Sequence, residues 1–173
     1  MPMSFLITSA AIDPSALLGG LRDTHAGACV SFEGRVRSEN RGRTVRALEY
    51  EAFAPLAEKE GRRILKEAAK KFQINHAVAV HRTGRLELGG LAVWVAVVAV
   101  HRGAAFDACR YVIDETKARL PIWKKEYYAD GASEWISCAV RRAKRKGSAA
   151  GKEKRGGGAE RRTGARSARH KRP

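Results

Sequence analysis

Lysines around the end of a predicted helix are the first residues in this sequence that could do acid–base chemistry. Lys117 lies at the margin of the helix's apolar stripe, where it either extends to solvent or points, partly buried, into a cleft. Pro121 ends the helix, and in the extended segment after it Lys124 and Lys125 should point to opposite faces, so only one of them can face a site. Trp123 beside them is more typical of a core anchor than of a binding platform.

Cations also lie at the ends of two predicted strands. His101 and Arg102 directly follow an apolar strand, where they could bind an anion and exchange a proton, or simply form a solvated strand end. Arg35 and Arg37 should share one face of another strand by its period of two. The sequence has no Gly-rich phosphate loop, no Gly-x-Ser-x-Gly elbow and no cysteine in an activating context. Many cations and few nucleophiles indicate an anionic substrate whose reactive group arrives from elsewhere.

Short strands and two long helices must position these residues. Asp13 and Pro14 begin a short first helix, and Phe106 is expected in the apolar stripe of the last one. Strands irregularly interleaved with helices over short connections predict an α+β fold with a mixed, mainly antiparallel sheet. The pattern predicts strands at 4–8, 28–36, 45–52, 77–80, 85–88 and 92–100, and long helices from about 55 to 72 and from about 104 to 120.

The charge of the chain is concentrated at one end. The 173 residues contain 34 Lys and Arg against 18 Asp and Glu, a net charge of +16, and residues 141–173 carry +12 of it. Periodicity also stops near residue 140. We therefore expect one domain over residues 1–140 and a disordered Lys/Arg/Gly-rich tail over 141–173.

Several classes of protein are disfavoured by composition. The three cysteines are widely spaced and the five histidines form no paired motif, so neither a disulfide framework nor a metal site is expected. The longest apolar run, 91–100, is about half the length of a membrane span, and no signal peptide is evident. A cytoplasmic location without membrane contact is the expectation.

The order of these segments resembles the family of the large, catalytic subunit of molybdopterin synthase. The resemblance covers about residues 4–136, and its most specific part runs from His101 to Glu126. It is carried by Phe32-Glu33-Gly34-Arg35-Val36-Arg37 with Asn40 and Gly42, by Leu48-Glu49-Tyr50-Glu51-Ala52, by His81-Arg82-x-Gly84-x-Leu86, by His101-Arg102-x-x-Ala105-Phe106, by Ile113-Asp114-x-x-Lys117 and by Pro121-Ile122-Trp123-Lys124-Lys125-Glu126. Gly89-Gly90 departs from the family's usual Gly followed by an acidic residue, and we expect a hairpin turn of altered geometry there.

The resemblance implies an α/β-hammerhead-type domain and a sulfur transferase that converts cyclic pyranopterin monophosphate to molybdopterin. It implies a homodimer within a heterotetramer, sulfur supplied as the C-terminal thiocarboxylate of a small ubiquitin-like carrier subunit ending in Gly-Gly, and no metal or organic cofactor. Lys117 would assist acid–base steps or engage the carrier's terminal carbonyl, and Lys124 would polarise the substrate. The substrate-binding positions that match are Arg35, Val36, Arg37, His101, Arg102, Lys117, Lys124, Lys125 and Glu126.

Two other functions remain open at this point. The basic tail could make the chain a nucleic-acid-binding protein, with weak, salt-sensitive binding that has no sequence preference. A non-catalytic carrier-binding scaffold is the second alternative, and the lysines at both matched positions count against it. Deletion of residues 141–173 separates the enzyme from the nucleic-acid binder, because only the binder would lose its main activity.

Overall fold

Two β-sheets and three helices make up residues 3–137, the part of the chain that this computed structural model describes. The predicted tail, 141–173, lies outside the described residues, so its boundary stays a prediction. Along the chain the elements are β1 (Met3–Thr8), α1 (Pro14–Gly19), β2 (Ala28–Arg35), β3 (Glu39–Asn40), β4 (Arg43–Ala52), α2 (Ala54–Phe72), β5 (His76–Arg82), β6 (Gly84–Glu87), β7 (Leu91–Ala99), α3 (Arg102–Arg119), β8 (Ile122–Tyr128) and β9 (Ser133–Ser137).

The first sheet has the strand order β1-β5-β7-β2 and forms the centre of the fold. Only the β1–β5 pair is parallel. All nine residues of β7 are buried, because α2 and α3 cover one face of the sheet and the α1 segment covers part of the other. This explains the nearly uninterrupted apolar sequence of β7.

The second sheet is antiparallel, with β4 at its middle. β4 pairs with β3 and β6 along one edge and with β8 along the other, and β9 pairs with β8. Its inner face forms a small core of its own, which includes Val45, Leu86 and Tyr128. Together the two sheets confirm the expected α+β class with mixed, mainly antiparallel strands.

Three local expectations from the sequence are wrong. Phe106 is 61% exposed, because α3 packs on the sheet through the fully buried Ala105 and Ala108 and thereby turns Phe106 outward. Trp123 is not a core anchor, since it is 42% exposed on the outer face of β8. Gly89-Gly90 is not a hairpin turn, because β6 pairs with β4 whereas β7 pairs with β2 and β5, so the turn connects the two sheets. Strand β9 was missed by the sequence pattern.

Among the described residues, no helix combines the length and the apolar character that crossing a bilayer requires.

Candidate active site

Lys117 lies in the last turn of α3, above the first sheet. Its side chain is exposed, and its Nζ is 5.8 Å from the centroid of the Phe32 ring on β2. No ion pair among residues 3–137 includes it. The helix ends two residues later, where the Leu120 N–H donates to the Thr116 carbonyl at 3.2 Å and Leu120 itself is buried. Lys117 is therefore an exposed cation on a well-anchored helix end.

His81, near the end of β5, is a buried neighbour of Lys117 that the sequence reasoning did not select as a site residue. Burial, and to a smaller extent the positive charge of Lys117, lower the pKa of His81 to about 4, so its imidazole is neutral near pH 7. Its Nδ1 is 2.9 Å from the Arg82 carbonyl, which fixes the tautomer with the proton on Nδ1 and leaves Nε2 as an acceptor. The only available signal in the sequence was the His81-Arg82 motif itself.

Tyr50 connects this region to the second lysine. Its ring meets the His81 ring edge-on, with 5.0 Å between the centroids. In the second sheet, Tyr50 of β4 lies directly opposite Lys124 of β8. Residues directly opposite in an antiparallel pair have neighbouring side chains on the same face. The structure thus brings Lys117 and Lys124 to one region, on either side of the His81–Tyr50 pair.

Lys124 is held on the inner face of β8 by a buried carboxylate. Its side chain is only 13% exposed, and it forms an ion pair with Oε1 of Glu126, whose side chain is 1% exposed. The other oxygen, Oε2, accepts hydrogen bonds from Asn40 Nδ2 at 2.7 Å and from the Tyr128 hydroxyl at 2.5 Å. Burial works to raise the pKa of Glu126, but these three donors together lower it below its usual value. Glu126 therefore stays ionised and lies under Lys124, not at the surface.

Lys125 points to the other face of the strand, as the alternation predicted. Its Nζ is 5.0 Å from the Tyr127 ring and 5.7 Å from the Trp135 ring, on the outer face of the second sheet. The sheet separates it from Lys124.

The three matched positions at the end of β2 have different surroundings. Arg35 is exposed, pairs with Glu33 at 2.6 Å and donates to the Gly89 carbonyl at 3.0 Å. Val36 is buried in the core of the second sheet, and Arg37 is exposed. The expected common strand face of the two arginines is not formed, because β2 ends at Arg35 and Arg37 lies beyond the strand.

His101 and Arg102 are exposed at the opposite end of α3 from Lys117. Arg102 and Lys117 are fifteen positions apart, which corresponds to about 22 Å along a helix that rises 1.5 Å per residue. A single copy of the chain therefore does not bring His101 and Arg102 together with Lys117.

A cavity of about 360 Å³ lies between the end of α3 and α2. Arg119 at its edge forms ion pairs with Glu60 and Glu67 of α2, which fixes the end of the helix that carries Lys117. Through this contact, Arg119 lowers the pKa of Glu67 to about 2. The cavity is lined by Leu56, Glu60, Arg119, Leu120, Pro121, Ile122 and Trp123.

Comparison with known proteins matches this fold and these motifs to a single family. The family model described as MoaE protein matches residues 7–119. The molybdopterin synthase catalytic subunit of Thermoplasma volcanium is 42% identical over 129 residues, which cover 75% of this chain and 94% of that protein. The crystal structure of molybdopterin synthase from Staphylococcus aureus superposes with a TM-score of 0.72 at 34% identity, covering 79% of this chain and 98% of that one.

A more distant structure supports the fold alone. It is a complex of subunits 1 and 2 of the molybdopterin-converting factor from Helicobacter pylori, with a TM-score of 0.61 and 20% identity over 77% of this chain and 88% of that one. The resemblance that the sequence motifs predicted, and the fold class that it implied, are confirmed. This chain belongs to the MoaE protein family, that of the catalytic subunit of the enzyme molybdopterin synthase.

Proposed function

We propose that this chain transfers sulfur to cyclic pyranopterin monophosphate and so forms the dithiolene of molybdopterin. The sulfur is donated by the C-terminal thiocarboxylate of a small ubiquitin-like carrier subunit that ends in Gly-Gly. The observation that supports this most strongly is that Lys117 and Lys124 lie in one region around His81 and Tyr50. One exposed and one fixed lysine together can bind and polarise an anionic substrate there.

The low reactivity of the thiols among the described residues supports a sulfur nucleophile that is brought by the carrier. Cys109 is buried, and burial together with the nearby Cys29 raises its pKa to about 11. Partial burial also raises the pKa of Cys29. Because the thiolate is the nucleophilic form, both groups are poorly reactive near pH 7. In the proposed reaction the carrier's sulfur forms a bond to a substrate carbon while a carbon–oxygen bond at that carbon breaks, and the oxygen leaves as water or as the ring-opened phosphate. Water then cleaves the bond between that sulfur and the carrier's acyl carbon, so the sulfur stays on the substrate as a thiol and the carrier leaves as a carboxylate. A second thiocarboxylated carrier supplies the second sulfur in the same way. No resident metal or organic cofactor is assigned to these steps.

The two lysines have separate roles in this proposal. Lys124 is fixed by Glu126 and serves as a positioned cation that polarises the substrate near its phosphate or pterin. Lys117 is exposed beside the neutral His81, and it assists acid–base steps or engages the terminal carbonyl of the carrier.

A second copy of the chain completes the site. His101 and Arg102 lie about 22 Å from Lys117 along α3, so we propose that they act in the site of the neighbouring protomer of a homodimer. Arg37 is the remaining exposed candidate for binding substrate anions. We further propose that each protomer binds one carrier, which gives a heterotetramer, and that the assembly acts in the cytoplasm.

Reconstitution tests this function directly. Purified chain, thiocarboxylated carrier and pyranopterin substrate should give dithiolene product, and Lys117→Ala or Lys124→Ala should abolish it while the protein stays folded. Lys66→Ala is a matched control, because Lys66 is an exposed lysine on α2 away from the site. No product from the wild-type chain with a competent carrier, or full activity of Lys117→Ala, would refute the proposal. Deletion of residues 141–173 should leave the synthase activity intact, whereas the nucleic-acid-binding alternative requires that the main activity be lost.

A further inference from the structure

We propose that Asn40 and Tyr128 are positioning residues for Lys124 and act on it through the carboxylate of Glu126. The inference rests on the proposed role of Lys124 as a fixed cation. Neither residue belongs to the set of expected substrate-binding positions, and neither is in direct contact with Lys124 among the hydrogen bonds of the described residues.

The two carboxylate oxygens of Glu126 bind different partners. Oε1 holds the ammonium of Lys124, and Oε2 takes both remaining donors, Asn40 Nδ2 at 2.7 Å and the Tyr128 hydroxyl at 2.5 Å. With three donors the 1% exposed carboxylate is well satisfied and cannot rotate without breaking bonds on both sides. Its orientation, and therefore the position of Lys124, is set by the two residues on Oε2.

Asn40 is positioned by the tight turn of the β3–β4 hairpin. Asn40 pairs with Arg43 across a two-residue connection, Arg41-Gly42, in which both residues have positive φ, 53° and 75°. Positive φ at both central positions is the type I′ geometry, which fits the twist of a tight hairpin. Gly42 thus has a role in the site: it allows the turn that places the Asn40 amide on Glu126.

The charge of Glu126 is the property that this arrangement protects. Burial alone would favour the protonated acid, and a neutral Glu126 would leave Lys124 without its counterion. The hydrogen bonds from Asn40 and Tyr128 oppose burial and act in the same direction as Lys124, so the pKa of Glu126 is lowered. Loss of either donor should therefore raise that pKa and release Lys124 at a higher pH.

The other groups around the carboxylate do not supply a substitute cation. Leu48 of β4 lies directly opposite Glu126 on one side, and the exposed Glu134 of β9 lies opposite on the other. Arg43 lies over the Tyr128 ring, with its Cζ 3.6 Å from the ring centroid, and it pairs with Asp130 at 2.8 Å. Among the described residues, Lys124 is thus the one cation in contact with the carboxylate of Glu126.

Two substitutions remove one donor each, and a third is their matched control. Tyr128→Phe and Asn40→Ala each delete one hydrogen bond to Oε2. Tyr127→Phe deletes a similar tyrosine–glutamate bond one residue away, from the Tyr127 hydroxyl to Glu49, without touching Glu126. Thermal unfolding establishes that each variant is folded. A Glu134→Gln background prevents that neighbouring carboxylate from contributing to any acid transition.

The first measurement is the pH profile of kcat/KM in the reconstituted reaction. We expect the acid limb to move upward by about one pH unit in Tyr128→Phe and in Asn40→Ala, because a hydrogen bond to a charged group is worth about one or more pKa units. Tyr127→Phe should leave the limb in place. A rate that falls by the same factor at every pH in either variant would indicate a purely structural role and overturn the inference.

The second measurement needs neither substrate nor carrier, so it separates this inference from the proposed function. Titration of the ¹³C carboxyl signal of Glu126, assigned with Glu126→Gln, should show its transition moved upward in both variants and unmoved in Tyr127→Phe. If the carboxyl signal moves but no variant or wild type makes product, the proposed function fails and the positioning stands. If the carboxyl signal does not move, the positioning role fails whatever the activity.

Discussion

The separation of His101 and Arg102 from Lys117 along α3 gives the sharpest prediction about the site. The helix places Arg102 about 22 Å from Lys117, and neither side chain, with bonds of about 1.5 Å, reaches the midpoint of that distance. If both groups act on one substrate molecule, they come from two protomers. Arg102→Ala and Lys117→Ala chains, each inactive alone, should therefore restore activity to each other when their subunits are exchanged.

The expected activity follows from the symmetry of the dimer. Random exchange makes half of the dimers mixed, and each mixed dimer has one intact site and one site with both substitutions, so about 25% of wild-type activity returns. Two different affinity tags allow the mixed dimers to be isolated, and these should have about half of the wild-type activity per dimer. Dithiolene product is measured with saturating thiocarboxylated carrier, so that carrier binding does not limit the rate.

A mixed dimer of a wild-type chain and a chain with both substitutions provides the decisive control. If the site is shared between protomers, each of its two sites lacks one cation and the dimer is inactive. If each protomer has a complete site, the wild-type chain works alone and half of the activity remains. Inactive mixed dimers of the two single variants, together with half-active dimers in this control, would refute the shared site.

Two further predictions concern the stability of the fold around the site. His81 has a pKa of about 4 in the folded chain, against an ordinary value of 6.5, so between these two pH values the unfolded chain binds a proton that the folded chain does not bind. The free energy of unfolding should therefore have its full value above pH 6.5 and fall by about 3 kcal/mol as the pH drops to 4. Urea unfolding of the wild type and His81→Gln measures this, and equal pH slopes in the two proteins would contradict it. Gly61→Ala should destabilise the protein by about 1–2 kcal/mol, because the new Cβ would lie 2.2 Å from Cγ of Phe5 and overpacking outweighs the better helix propensity of alanine. Gly103→Ala in α3, where the added Cβ meets no atom within 4 Å, should be neutral or slightly stabilising in the same assay, and a similar loss in both variants would show that packing is not the cause.

Much of the fold could be predicted because local patterns agree with its long-range packing. The apolar run of β7 is buried on both faces, and Asp13 caps α1 through hydrogen bonds to the backbone N–H groups of Ser15 and Ala16, both as the residue types indicated. Phe106 was misplaced because the apolar stripe was assigned by residue size, whereas the buried face of α3 is centred on the small Ala105 and Ala108 and turns Phe106 outward. Strand β9 is visible only through its pairing with β8, which no local pattern reveals.

Only those features of the site that follow from residue spacing within a single strand or helix could be predicted from the sequence. Alternation along β8 correctly separated Lys124 from Lys125. The contacts that define the environment of each lysine join residues far apart in sequence, such as Asn40 with Glu126 and Tyr50 with His81. The end of β2 at Arg35, which leaves Arg37 outside the strand, is likewise set by how far the pairing with β7 extends.

The charges within one protomer suggest why assembly and activity should be linked. The Lys124–Glu126 pair is formally neutral, so it offers a directed ammonium but little net attraction for an anion. Lys117 adds one positive charge, and the phosphate-bearing substrate proposed above would need more positive charge than these two lysines supply to be held against water. Further positive charge is present on the same chain at Arg102, next to His101, yet it lies at the far end of α3. A second copy that places this helix end at the lysines would supply the missing charge and thereby make binding of the anionic substrate depend on the dimer.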